Sequence, residues 1–352
     1  MTVGGSGTWY SHFYSFGICV ASPTSIFSTT STPADKVRLL SLDVLFTLGC
    51  VFLAIVALIV HVLVHYRARK GDTTEPPQVF GSAQIELAWT IIPTLIILVL
   101  FLGTARVVFE VQDAAAPKSA LNVTVVGHQY WWEFRYPKYN LVTANELHIP
   151  LSDPGNPTPT YMELTSADVI HSFWVPSLAG KTDLLPNRVN EMWVDPHKVG
   201  LYEGQCAQFC GAQHAKMLLR VYVETPEDFQ RWIGTQRQQA KTSVPGILSN
   251  VDLESDNSQK ITPQLGRRVF EGQACISCHA VRGTVAGGRF GPDLTHLMSR
   301  STIAAGIAPN TPENLLIWIT DPSVMKPGSL MPAMHLTSLE NKQITAYLTT
   351  LR

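Results

Sequence analysis

Residues 206–217 read CAQFCGAQHAKM, which sets Cys206, Cys210, His214 and Met217 in the spacing C-x3-C-x3-H-x2-M, with His171 upstream. Two thiols, two imidazoles and a thioether are soft and borderline donors that suit copper better than zinc, calcium or magnesium. Cysteines at this separation in a loop bring both sulfurs to one centre. A zinc site and a Cys206–Cys210 disulfide remain as alternatives, although Met is a poor zinc donor and a disulfide needs an oxidising compartment. The stretch sits among short β-branched and aromatic runs at 121–136 (LNVTVVGHQYWWEFRY), 146–151, 160–165, 169–175, 189–194 and 217–223. Turn signals at 153–157 and at Asp195-Pro196 separate them. Many short strands with frequent turns imply an antiparallel sandwich or barrel built around the donor loop.

A second deciding run is CISCH at 275–279. The spacing C-x-x-C-H attaches a c-type haem, with thioethers at Cys275 and Cys278 and His279 as an axial iron ligand. A zinc knuckle or a redox C-x-x-C is the competing reading. Covalent haem is attached outside the bacterial cytoplasm, so the motif also fixes a compartment. The chain has six cysteines; beyond these four, Cys50 reads as a small apolar residue of a membrane span, and Cys19 has no assigned role.

Formal net charge is -1, so no basic field points to nucleic acid. Apolar residues concentrate in two runs, 39–65 and 87–109. Each holds roughly the 20 residues that cross a bilayer. Pro93 lies inside the second and is expected to kink it. With the haem outside, two spans put both termini on the outer face. The loop between them, carrying Arg67, Arg69 and Lys70, is then cytoplasmic. Five segments follow: a Ser/Thr/Gly-rich flexible tail (1–38), a transmembrane hairpin (39–112), a β domain (113–234), a polar linker (235–260) and an all-α haem domain (261–352). Helical patterns in the last fall at 264–270, 311–320 and 338–351.

From residue 86 to 223 the chain resembles subunit II of the haem–copper cytochrome c oxidases. The carrying segments are ELAWTIIP (86–93), GHQYWWEFRY (127–136), DVIHSFWVPSL (168–178), KTDLLPNRVN (181–190) and the 206–217 block. With the haem motif added, the whole resembles the caa-type subunit II. The resemblance implies a cupredoxin-like antiparallel β-barrel holding a dinuclear CuA centre, both coppers bridged by Cys206 and Cys210. His171 and Met217 would complete one copper, His214 and the backbone carbonyl of Gln208 the other. Most family members carry Glu at the Gln208 position, whose carboxylate also reaches a magnesium ion; a neutral amide is a weaker ligand for that hard cation. Tyr130 stands where many members have Trp, and with Trp131 it would guide electrons to copper. Glu86 would be the carboxylate that takes up protons at the foot of the second span; its plain alternative is a helix-start carboxylate favoured by the dipole. Lys181, Asp183 and Arg188 would be interface charges.

Of the methionines after the haem motif (Met298, Met325, Met331 and Met334), Met331 is the expected distal iron ligand, because KPGSLMPAM (326–334) resembles the Met-Pro loop of small bacterial cytochromes c. A His–Met pair raises the iron potential relative to two His ligands. GPDL (291–294) resembles the loop whose Pro carbonyl orients the proximal imidazole. The function so implied is electron transfer from haem c to CuA and on to haem in subunit I, for reduction of oxygen to water with proton pumping. Partners would be subunits I and III, and either cytochrome c or an upstream quinol-oxidising complex as donor. A quinol-oxidase-type subunit, which lacks the copper ligands, and a copper-delivery protein are the alternatives.

Overall fold

The computed structural model describes residues 24–67, 70, 71, 75, 78, 81–112, 120–153, 155, 157–240 and 260–352. The expectations for the tail before residue 24, for Cys19 and Arg69, and for the linker over 241–259 lie outside the described residues.

Two long helices lead, α1 (Thr32–His65) and α2 (Ala83–Gln112). At 1.5 Å per residue each exceeds the ~30 Å of a hydrocarbon core. The apolar window of each is 0% buried within the chain; helices apolar on every side need lipid or partner helices around them. Pro93 sits inside α2 without ending it. Helix α1 begins upstream of the apolar run, inside the segment expected to be tail. Its start is fastened: Asp195 accepts the Thr32 N–H at 2.8 Å, the Thr32 hydroxyl at 2.6 Å and the Ser31 hydroxyl at 3.0 Å. Pro33 in the first turn suits a helix start, since its missing N–H has no intrahelical partner there anyway. At the end of α2, Trp193 Nε1 donates to the Val111 carbonyl at 2.7 Å, and Glu110 pairs with Lys36 of α1 at 2.8 Å. The start of α1 and the end of α2 are thus held beside the same residues, Trp193 and Asp195, and the helices form a hairpin.

Ten strands follow: β1 (Leu121–His128), β2 (Trp131–Tyr136), β3 (Leu141–Ala144), β4 (Glu146–Pro150), β5 (Thr160–Ser166), β6 (His171–Trp174), β7 (Thr182–Leu184), β8 (Asn190–Val194), β9 (Gly200–Cys206) and β10 (Leu218–Glu224). They make two five-stranded sheets, β3-β2-β1-β5-β8 and β4-β10-β9-β6-β7. Alternate residues of both sheets meet in a core that includes Val125, Trp132, Phe134, Leu147, Leu164, Phe173 and Val221. The sandwich is the expected cupredoxin-like one, with two refinements. The run 121–136 is two strands joined at Gln129–Tyr130. The pairs β1–β5 and β4–β10 are parallel, because in each case intervening strands carry the chain through the other sheet before it returns in the same direction. Strand β9 escapes the sequence pattern because Gly200 and Gly204 dilute it; Gly204 is required, since a Cβ there would stand 2.6 Å from the Trp174 carbonyl oxygen. Helix α3 (Pro226–Gln236), capped by Thr225, closes one end with Phe229 and Ile233.

The last domain holds α4 (Pro263–Gly272), α5 (Cys275–Cys278), α6 (Pro312–Thr320) and α7 (Ser338–Leu348). Each expected helix lies where the pattern placed it. The domain is helical apart from a two-residue ladder, β11 (Thr302–Ile303) with β12 (Ala308–Pro309). Helices α4 and α7 cross at Gly266, where a Cβ would fall 1.8 Å from the Gln343 carbonyl oxygen. Phe270 and Tyr347 pack beside the crossing, ring centroids 5.7 Å apart.

Candidate metal and haem centres

Three neighbouring strands aim the copper-type donors at one end of the sandwich. Strand β9 ends at Cys206 and β10 begins just after Met217, and the Cys206 N–H donates to the Met217 carbonyl at 3.0 Å. Strand β6 pairs with β9 through Phe173 and Cys206. This register delivers His171, the first residue of β6, to the same corner. The loop between β9 and β10 supplies Cys210 and His214. The side chains of His171, Cys206, Cys210 and Met217 are all buried.

The donor atoms converge. Cys206 Sγ lies 3.9 Å from Cys210 Sγ, 3.9 Å from His171 Nδ1 and 3.2 Å from the Gln208 carbonyl oxygen. Cys210 Sγ lies 3.8 Å from His214 Nδ1 and 3.9 Å from Met217 Sδ. Both cysteines are free thiols. The residues expected from the sequence therefore meet as six donors, a pair of sulfurs with four others around them and one imidazole beside each sulfur. The thiols are a coupled pair. The neighbouring Cys210 sulfur and, against burial, His171 hold the Cys206 thiol below its ordinary value. The same contact holds the Cys210 thiol above its ordinary value. Two cysteine sulfurs with imidazole and thioether donors beside them fit copper.

Sequence reasoning passed over what orients His171. Asp168 accepts from the other ring nitrogen, Nε2, at 2.8 Å, leaving Nδ1 for the metal. Burial opposes charge on both partners. The contact nevertheless lowers Asp168, aided by N–H donors from Gln129 and Val169, and raises His171. Gly127 makes room for the ring, since a Cβ there would stand 2.8 Å from His171 Cδ2. The pattern D-x-x-H was visible, but only the fold shows that the two side chains meet. Among the aromatics, Trp132 is fully buried and meets His171 edge-on at 6.2 Å. Trp131 instead stacks on His128 at 4.2 Å. Tyr130 touches the donor loop: its hydroxyl accepts the Ala212 N–H at 3.1 Å.

In the haem domain, α5 presents Cys275 half-buried and Cys278 exposed. His279 Nδ1 donates to the Pro292 carbonyl oxygen at 2.8 Å, the orientation expected from the GPDL loop, which leaves Nε2 for iron. Burial holds the His279 imidazole below its ordinary value and so neutral, as a ligand must be. Glycines bring the chain close round the motif: a Cβ on Gly291 would stand 2.5 Å from His279 Cε1, and one on Gly288 2.4 Å from the Ser277 carbonyl carbon. Phe290 and Leu330 are exposed large apolar residues flanking the motif and the Met331 loop. Such surface, in so small a domain, fits coverage by an apolar macrocycle. Met331 and Met334 are partly exposed on that loop. Glu86 lies in the first turn of α2, exposed, as the helix-start and proton-uptake readings both require. Lys181, Asp183 and Arg188 flank β7 on the edge of their sheet, each at least partly exposed.

A membrane hairpin, a sandwich with clustered soft donors and a haem-attachment domain define a membrane-anchored electron-transfer subunit. Comparison with known proteins narrows the class. Residues 23–107 match the description cytochrome C oxidase subunit II, transmembrane domain; residues 155–224 match cytochrome C oxidase subunit II, periplasmic domain; residues 263–352 match cytochrome c. Cytochrome c oxidase subunit 2 of Alkalihalophilus pseudofirmus is 33% identical over 315 residues, covering 87% of this chain and 85% of its own. The Bacillus subtilis protein of the same name is 30% identical over 345 residues, covering 92% and 91%. Quinol oxidase subunit 2 of Bacillus subtilis is 31% identical over 201 residues, covering 56% and 60%. Among solved structures, the periplasmic domain of subunit II of the Bradyrhizobium japonicum cytochrome oxidase is 29% identical, covering 35% of this chain and 97% of its own, at a TM-score of 0.32. The chain belongs to the cytochrome c oxidase subunit II family and carries a C-terminal cytochrome c domain. The first domain type implies CuA copper and the second haem c.

Proposed function

We propose that this chain is the electron-input subunit of a proton-pumping terminal oxidase. It passes electrons from its covalent haem c to a dinuclear CuA centre, and from there to haem in subunit I, where oxygen is reduced to water. Cys206 and Cys210 would bridge two coppers, with His171, Met217, His214 and the Gln208 carbonyl as terminal ligands. Cys275 and Cys278 would carry one haem c by thioether bonds, with His279 and Met331 as axial ligands. Tyr130, with Trp131 beside it, would lie at the point where electrons reach the copper domain, and Glu86 would take up protons for the pathway in subunit I. Both termini and both redox domains would face the periplasm of a bacterial cell membrane. Subunits I and III would be the membrane partners, and cytochrome c or a quinol-oxidising complex the donor. The domain limits proposed are 1–31, 32–112, 113–236, 237–260 and 261–352, with the boundaries at 38 and 234 moved to the start of α1 and the end of α3.

The observation that carries this reading is the placement of three side-chain donors and one carbonyl around two cysteine sulfurs 3.9 Å apart. Two coppers held by Cys206, Cys210, His171, His214, Met217 and the Gln208 carbonyl would supply one-electron transfer. With every donor position filled, the centre has no room for substrate and serves as a relay. The relationship to a quinol oxidase subunit raises the rival reading, in which no copper is present. The retention of His171, Cys206, Cys210, His214 and Met217 opposes it. The test is a visible–near-infrared and electron paramagnetic resonance spectrum of the purified protein. A mixed-valence copper band together with haem c bands is expected; haem without that band sinks the CuA assignment.

A further inference from the structure

Hydrogen bonds join the two redox domains at several points: Arg220 and Tyr222 meet the Ser301 hydroxyl, Leu218 meets Ala305, Gln213 meets Pro327, and Gln236 meets Ser299 and Arg282. Two of the crossings bury a charged side chain. On the copper side, Glu146 stands at the start of β4, the edge strand of its sheet, and is buried. Its carboxylate points across to the haem domain. Oε1 accepts the Ser301 N–H at 2.9 Å, the Ser301 hydroxyl at 2.7 Å, the Thr302 N–H at 3.0 Å and the Thr302 hydroxyl at 3.1 Å. Oε2 receives the Ser301 N–H as well, at 3.2 Å. A second contact lies beside the donor loop. Lys326, on the haem domain five residues before Met331, is buried and donates to the Tyr130 carbonyl at 2.9 Å. Lys216, next to Met217, donates to the Met325 carbonyl at 2.8 Å.

We propose that Glu146 and Lys326 are positioning residues that latch the haem domain onto the CuA domain at two separated points. The latch holds the Met331 loop against Tyr130, so that electron transfer between the centres needs no domain search. This rests on the electron-relay function proposed above. The chemistry of the contacts supports it. A carboxylate desolvated at a domain boundary is costly unless its lone pairs are filled; here one carboxylate takes four donors, two of them backbone amides whose positions the haem-domain fold fixes. A buried ammonium sits against the backbone of the residue that also touches the copper-donor loop. These two buried charged groups sit at different places on the sandwich, and with the neutral contacts around them they oppose rotation of one domain on the other. The same docking sets the haem domain beside Tyr130, the residue that also touches the donor loop.

The test uses the full chain in the assembled oxidase. Flash reduction of haem c, followed at the copper band, gives the internal transfer rate as glycerol is added. Hydrogen exchange reads the Ser301 and Thr302 amides. The unmodified protein is expected to transfer at a rate independent of viscosity and to protect both amides. Glu146→Ala strips the acceptor from those amides and is expected to speed their exchange by about tenfold to a hundredfold. It should also make the internal transfer slower and viscosity-dependent, with haem and copper spectra and potentials unchanged. Lys326→Met should produce viscosity dependence without exposing the two amides. A viscosity-dependent rate in the unmodified protein, or unaltered Ser301 and Thr302 exchange in Glu146→Ala, overturns the latch. Absence of the copper band in the unmodified protein would instead defeat the relay reading, and the exchange data would still judge the docking.

Discussion

The copper and haem sites of this chain solve the same task in opposite ways. Around Cys206 and Cys210 the donors are buried and brought together by strand register; His171 and Met217 are as deep as the core itself. Around Cys275 and Cys278 the fold leaves Cys278, Phe290 and Leu330 at the surface. The first site lies at one end of a β-sandwich with a large core of its own side chains. The second domain has a smaller core and leaves apolar surface beside its motif, which a covalent macrocycle would cover. A haem domain of about ninety residues lies near the size at which a chain needs help to hold a core.

The strongest way to break that contrast is to remove each cofactor. Cys278→Ala with Cys275→Ala is expected to cost the C-terminal domain most of its ordered structure, seen as lost helical circular dichroism and rapid proteolysis after residue 260. The sandwich should survive with its copper band. Cys206→Ser should do the reverse in kind but not in degree: the copper band vanishes while the sandwich keeps its fold and loses only a few degrees of melting temperature, since metal that binds only the folded state adds a limited linkage term. A haem domain that stays folded without haem, or a sandwich that collapses without copper, would end the distinction.

The next effect belongs to the helix crossing. Gly266→Ala pushes a methyl into the Gln343 carbonyl. We expect about 3 kcal/mol of destabilisation, at the upper end of overpacking costs, because backbone rather than a movable side chain blocks the methyl. Calorimetry should show only the haem-domain transition shifting. A uniform shift of both domains would mean that they unfold as one unit.

On the copper side, Asp168→Asn keeps size but weakens the hold on His171 Nε2. Loss of such a partner commonly costs about 10–100-fold in metal affinity. Competition with a copper chelator should show that loss for Asp168→Asn and none for Asp153→Asn. Equal affinity in both variants would make Asp168 a surface residue that happens to touch the ring.

What the sequence disclosed follows the same divide. The clustering of the donors was legible, because soft donors at fixed spacing serve little besides a metal or a haem. Helices α4, α6 and α7 were legible from their periodicity, and the membrane helices from length and hydropathy. Register and long-range partners were not. Nothing in the local pattern says that Asp168 reaches His171 Nε2, that Trp132 rather than Trp131 faces the copper ligands, or that Glu146 meets Ser301 more than one hundred and fifty positions away. Strand β9 was hidden by the glycines its close packing demands. The early start of α1 was hidden because its cause, Asp195, lies in another domain.

The smallest effect expected concerns Glu133 on β2, which is buried and joins His128 at 3.0 Å to Arg135 at 2.5 Å. Burial alone would raise its pKa; the donors from His128 and Arg135 outweigh it and hold the carboxyl below its ordinary value of 4.5. A carboxyl lowered on folding adds stability above its unfolded value, and that stability fades as pH falls through the lower, folded value. With Arg135 half-exposed and screened, the contribution is about 1 kcal/mol. Glu133→Gln should therefore lower the urea midpoint of the sandwich at pH 7, and the gap from the unmodified protein should close as the pH drops below 4.5. The haem-domain midpoint should not respond to the substitution at any pH. A gap that widens in acid would reverse the sign of the linkage and remove Glu133 from the forces that hold β2, and with it Trp132, in place beside His171.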